Sequence, residues 1–262
     1  MAVALQTSHY GAGYPLLILH GLFGSSTNWR SIARRLSQHT IEVVTVDLRN
    51  HGASPWSETM DYPAMAEDVI ALVQKEFKQP PFIAGHSMGG KVAMCLALQQ
   101  PTLIAGLVAM DIAPIPYAHN HLSLIEAMRG LNPGDIGKRS EADALLARQI
   151  PNPMLRSFLL QNLVYNNAYY DWRLNLPVLA LSMVKLTGFP EYPKKTYSGP
   201  SLFLRGANSH YIPDSATSTI KQLFPSAKLR TIANASHWLH AEQPTAVVEA
   251  LLEFVAAHIN SA

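Results

Sequence analysis

Gly85-His86-Ser87-Met88-Gly89 sets a hydroxyl between two glycines, with the apolar run Phe82-Ile83-Ala84 before it and helix-like Gly90 to Gln99 after it. Gly-x-Ser-x-Gly is a short pattern with many chance matches. At a strand–turn–helix junction it reads as a nucleophile elbow. The serine there must adopt a strained turn, and the flanking glycines let strand and helix come close together. The helix that begins behind Ser87 favours negative charge developing at its N-terminus. A serine hydroxyl is inert near neutral pH without a base. Of the eleven histidines, His237 is the best placed. It lies in Asn234-Ala235-Ser236-His237-Trp238, between the apolar run Leu229 to Ile232 and the last helical pattern. That is the carboxyl edge of a parallel sheet, where ligands bind. His240 is the near rival and falls at the start of the following helix.

The imidazole needs a carboxylate to orient it and to stabilise its cation. With the order nucleophile, acid, base, that carboxylate lies between residues 87 and 237. The loop after Leu202 to Leu204 is the usual place, but here it reads Arg205-Gly206-Ala207-Asn208-Ser209, with no acid before Asp214. Asp111 directly follows Leu107 to Met110 at the same sheet edge. Asp111 is favoured over Asp214, and both stand as candidates. An oxyanion needs two preorganised N–H donors. Met88, next to the nucleophile, supplies one. The other is expected from His20-Gly21-Leu22-Phe23-Gly24, with Leu22 first and Phe23 second. His20 reads as a structural hydrogen-bonding residue. His119-x-His121 and His237-x-x-His240 lack a third ligand, so no metal site is assigned. The chemistry calls for no cofactor.

The elements that must hold these groups are legible as apolar periodicity. Short runs at Leu16–Leu19, Val43–Val46, Phe82–Ala84, Leu107–Met110, Leu202–Leu204 and Leu229–Ile232 alternate with amphipathic stretches. This is the pattern of an α/β chain with a mostly parallel sheet covered on both faces by helices. Trp29, Ile32, Ala33 and Leu36 share one helical face, with Ser26 or Thr27 as its N-cap. A second face runs from Met65 to Phe77 and stops before Pro80, and a third follows Pro244. The alternation breaks between residues 114 and 198, where prolines are frequent and helix-like segments appear around 121–130, 140–149 and 153–163. So long a connection is expected to be an inserted helical lid. Residues 1–113 and 199–262 then form the core, with the lid as an insertion in it and not an independent domain.

A net charge of +2, with basic residues scattered, argues against nucleic acid as a partner. The single cysteine, Cys95, allows no internal disulfide and sits in an apolar helical stretch. The start of the chain has neither a basic n-region nor an unbroken apolar stretch, so a cytoplasmic protein with no stable membrane anchor is expected.

Taken in order, His20-Gly21-Leu22-Phe23-Gly24, Asp47-Leu48-Arg49-Asn50-His51-Gly52, Gly85-His86-Ser87-Met88-Gly89-Gly90-Lys91 and Asp111-Ile112-Ala113-Pro114 resemble the YbfF-type esterases of the α/β-hydrolase superfamily. The resemblance continues through Gly206-Ala207-Asn208-Ser209 and Ser236-His237-Trp238. It implies the α/β-hydrolase fold and hydrolysis of short to medium acyl esters, with acyl-CoA thioesters as a further class. It also implies Asp111 as the acid, with Ser209 occupying the usual acid position and hydrogen-bonding near His237. Carbon–carbon bond hydrolysis, a lyase step or perhydrolysis would use the same triad, and a non-catalytic binding protein would use the same fold. Oligomeric state is not legible.

Overall fold

In the computed structural model, which describes residues 1–259, the apolar runs pair side by side. The strands are β1 (Gln6–Tyr10), β2 (Tyr14–Leu19), β3 (Ile41–Asp47), β4 (Phe82–His86), β5 (Gly106–Met110), β6 (Leu163–Tyr165), β7 (Tyr170–Trp172), β8 (Ser201–Gly206) and β9 (Ala227–Ile232). Seven of them form one sheet in the order β1-β3-β2-β4-β5-β8-β9. β1 runs antiparallel to β3, and every other neighbouring pair is parallel. β6 and β7 make a separate antiparallel hairpin.

The period of two in a strand assigns its side chains to opposite faces. Leu17 and Leu19 pack with one apolar layer, while Leu16 and Ile18 pack with the other. On the first side lie α2 (Tyr62–Glu76) and α3 (Met88–Gln99); on the second, α1 (Arg30–Leu36) and the C-terminal helix (Pro244–His258). The first helix starts later than expected. A 3-10 turn, Ser26–Trp29, precedes α1, because side chains hold that turn. Asp47 Oδ1 accepts the Ser26 N–H at 2.7 Å, and Asn28 Oδ1 accepts the Ser25 N–H at 2.7 Å.

Between β5 and β8 the chain forms α4 (Leu122–Arg129), α5 (Arg139–Leu146), α6 (Pro153–Leu160), the β6–β7 hairpin and α7 (Leu176–Thr187). After β8 come α8 (Thr217–Leu223), α9 (Leu239–Glu242) and α10 (Pro244–His258). α4 packs on α7 and α5 on α6. Their buried residues, among them Ile125, Leu146, Leu159 and Leu179, belong to the same apolar layer as α2 and α3.

Two buried cations fasten this arrangement. The Arg49 guanidinium donates through Nε and Nη2 to Asp68 of α2 at 2.6 and 2.7 Å, and also to the carbonyls of Thr59 and Ala64. Lys91 of α3 donates to the carbonyls of Ile115 (2.9 Å), Thr187 (3.2 Å) and Gly188 (2.5 Å). A single ammonium thus ties both ends of the 115–188 segment to α3, the helix that follows Ser87. Burial pushes the Lys91 amine down to about 7, while the three carbonyls and the ring faces of Tyr62 and Tyr117 favour its charged form. Gly52, at φ +60°, is required by close approach, because a Cβ there would lie 2.2 Å from the Asp47 carboxylate carbon. Asp47 in turn accepts N–H groups from Ser26 and Ala53.

Candidate active site

β4 ends in a sharp turn. Ser87 has φ 50° and ψ −118°, a strained conformation for a residue with a Cβ, and α3 starts at the next residue. The glycines on either side of it are a steric necessity. A Cβ on Gly85 would lie 2.2 Å from the Gly89 carbonyl oxygen, and one on Gly89 would lie 2.5 Å from that of Leu19. The hydroxyl is thereby carried at the carboxyl edge of the sheet, beside the loop after β2.

His237 reaches the same edge from the loop after β9. Its Nε2 lies 3.1 Å from Ser87 Oγ and its Nδ1 lies 2.8 Å from Asp111 Oδ2. A carboxylate only accepts, so Nδ1 carries the proton and Nε2 accepts from the serine hydroxyl. Asp111 is fully buried at the end of β5 with φ 52°. The Gly206 N–H donates to its Oδ1 at 2.9 Å, and the Ser209 hydroxyl donates to its Oδ2. Ser209 therefore touches the carboxylate and not the imidazole. Asp214 is elsewhere: its exposed carboxylate pairs with Arg205 at 2.7 Å.

Met88 and Leu22 both border the space over Ser87. The Phe23 N–H is directed away, donating to His51 Nε2 at 3.3 Å. His20 has the structural part expected of it: its Nδ1–H donates to the Gly21 carbonyl at 2.8 Å and its Nε2 accepts the Leu48 N–H at 2.9 Å.

The surrounding imidazoles are held neutral. Burial, reinforced by His240, His237 and His20, keeps His86 well below the usual histidine range. Burial and the nearby His237 push His240 down to about 4. His86 donates from Nε2 to the His237 carbonyl at 2.8 Å, which fastens the loop after β9 to the elbow. His240 belongs to α9 and stacks on Trp29, with centroids 4.5 Å apart. His119 and His121, whose rings are 5.6 Å apart, border the cavities above Ser87. Among the described residues no group of three or more metal-ligating side chains is clustered.

Sequence reasoning missed Tyr211. Its ring lies flat against His237, centroids 3.7 Å apart and planes 18° apart. Its N–H donates to Ser209 Oγ, and its carbonyl accepts from the Tyr117 hydroxyl at 2.6 Å. The only pointer in the sequence is its position two residues after Ser209, with no periodicity to mark it.

Ser87, His237 and the buried Asp111 thus meet at one edge of the sheet. Residues 14–244 match the model of the alpha/beta hydrolase fold family. The chain belongs to that family. It is similar to the sn-1-specific diacylglycerol lipase ABHD11 of Mus musculus, 41% identical over 249 residues, covering 92% of this chain and 80% of the relative. It is 35% identical to esterase YbfF of Escherichia coli (strain K12), covering 97% of each. A solved structure described as a marine microorganism esterase superposes with a TM-score of 0.93 at 37% identity, covering 97% of this chain and all of that one. The protein is a serine hydrolase of the esterase and lipase group. No helix among the described residues of this hydrolase is long and apolar enough to cross a membrane.

Proposed function

We propose that Ser87, His237 and Asp111 are the catalytic triad of an esterase acting on short- to medium-chain carboxylic esters, with acyl thioesters as a second class. His237 takes the Ser87 proton as Oγ bonds to the ester carbonyl carbon. The N–H groups of Leu22 and Met88 hold the oxyanion. The engagement of the Phe23 N–H by His51 supports Leu22 as the loop donor. The imidazolium then protonates the leaving oxygen, the alcohol departs, and water activated by the same imidazole releases the acid and restores Ser87. Asp111 holds the imidazole in the tautomer this needs, and Ser209 is a positioning residue acting through Asp111. The segment 114–198 serves as a lid, supported by the Leu124, Leu155 and Phe158 side chains it contributes to the cavity over Ser87.

The observation that carries this reading is the unbroken line of hydrogen bonds from Ser87 Oγ through both imidazole nitrogens to Asp111. Hydrolysis of p-nitrophenyl butyrate tests it. Ser87→Ala should lower kcat on the order of 10⁶-fold and Asp111→Asn about 10⁴-fold, whereas Asp214→Asn should leave it near wild type. Equal rates for wild type and Ser87→Ala would refute the triad. Damage from Asp214→Asn in place of Asp111→Asn would refute the acid assignment.

A further inference from the structure

Two unequal cavities meet over Ser87. The larger, about 260 Å³, is lined by His237, Trp29, Leu155, Phe158, Trp238 and His240, among others. The smaller, about 40 Å³, lies beside α3 and is lined by Met88, Lys91, Ile112, Tyr117, Met183 and Leu186, among others. Leu22, His121, Tyr211 and Ser87 border both. An ester has two arms, and the chemistry decides which goes where. His237 must deliver its proton to the leaving oxygen, so the leaving arm lies on the side that the imidazole lines. His237 borders the larger cavity and not the smaller. We propose that the small cavity is the acyl site and the large one the alcohol site, which makes the preferred substrates short-chain acyl esters of bulky apolar alcohols.

The assignment rests on the triad reading and adds to it a size limit on the acid. At roughly 10–15 Å³ per water-sized group, the small cavity takes about three such groups beyond the carbonyl. A longer chain would have to displace Met183 or Leu186, both buried in the apolar layer. Nor does Lys91 in the lining invite a carboxylate on the acyl arm, because it already donates to three carbonyls. The opposite cavity is larger and walled by rings, which suits an apolar alcohol.

The test uses two isomers of equal carbon count, octyl acetate and ethyl octanoate, so that hydrophobicity cancels. Wild-type kcat/KM should favour octyl acetate by at least about 10-fold, the discrimination expected when surplus methylenes exceed a small pocket. Leu186→Ala should shift that ratio toward ethyl octanoate while turnover of octyl acetate persists. The ratio is independent of the fraction folded, and Met183→Ala gives the same readout if the first variant does not fold. Equal or reversed wild-type preference overturns the assignment while leaving the triad standing, as does an unchanged ratio in an active Leu186→Ala. Turnover of neither ester sinks both.

Discussion

The parallel stacking of Tyr211 on His237 puts an electron-rich ring face beside an imidazole that, in the proposed triad, becomes cationic as Ser87 is deprotonated. Such contacts stabilise a cation by about 0.5–2 kcal/mol. Tyr211→Ala should therefore lower kcat by about 2- to 30-fold, and Tyr211→Phe, which keeps the ring, should stay near wild type. Steady-state kinetics on a small ester separates the two; equal losses in both variants would assign the effect to the hydroxyl instead. That Ser87, His237 and Asp111 meet is legible in the sequence because each sits in a motif or directly after an apolar run. Tyr211 was not, because a stacking contact between two loops leaves no periodic trace. Ser209 is expected to hydrogen-bond near His237, and its hydroxyl donates to the Asp111 carboxylate, a distinction only geometry could draw.

At the scale of elements, α3 both follows the Ser87 turn and carries the Lys91 grip on the 115–188 segment. Lys91→Met removes the donor from the Ile115 and Gly188 carbonyls. Leaving such groups unpaired should cost ~1–3 kcal/mol. Limited proteolysis should then cut within residues 115–188 faster than in wild type, and unchanged cleavage would mean that apolar packing alone holds the segment. The main strands were legible from short runs of Leu, Ile and Val. β1 was not, since Gln6-Thr7-Ser8-His9-Tyr10 is polar and half-exposed at the sheet edge. β6 and β7 have three residues each, too few to show a period. α7 escaped notice because it is apolar nearly all round, with Leu181 and Val184 exposed, so no face stands out.

Across the whole molecule, the sheet end that holds the chemistry is also where imidazoles are buried. His20, His51, His86 and His240 all have their pKa lowered, chiefly by desolvation, with His51 pushed to about 3. The unfolded chain protonates these groups near 6.5, so below that value it binds more protons than the folded chain does. Stability is therefore fully present above about pH 6.5 and falls as acid is added, toward the lowered folded values. His51 alone should contribute a loss on the order of 2 kcal/mol by about pH 5. Urea midpoints measured from about pH 7.5 down to about pH 5 should decline steadily, and a flat profile would mean that these rings gain water or partners on protonation.

The Lys91 ammonium grips main-chain oxygens, and every residue type carries one. The attachment is therefore indifferent to what is written between Ile115 and Thr187. Mutational drift can recarve the walls this stretch gives to the cavity over Ser87 while the mooring to α3 holds. In descendants of this protein, new substrate preferences could accumulate in that stretch by ordinary substitution, with the hydrolytic machinery inherited unaltered.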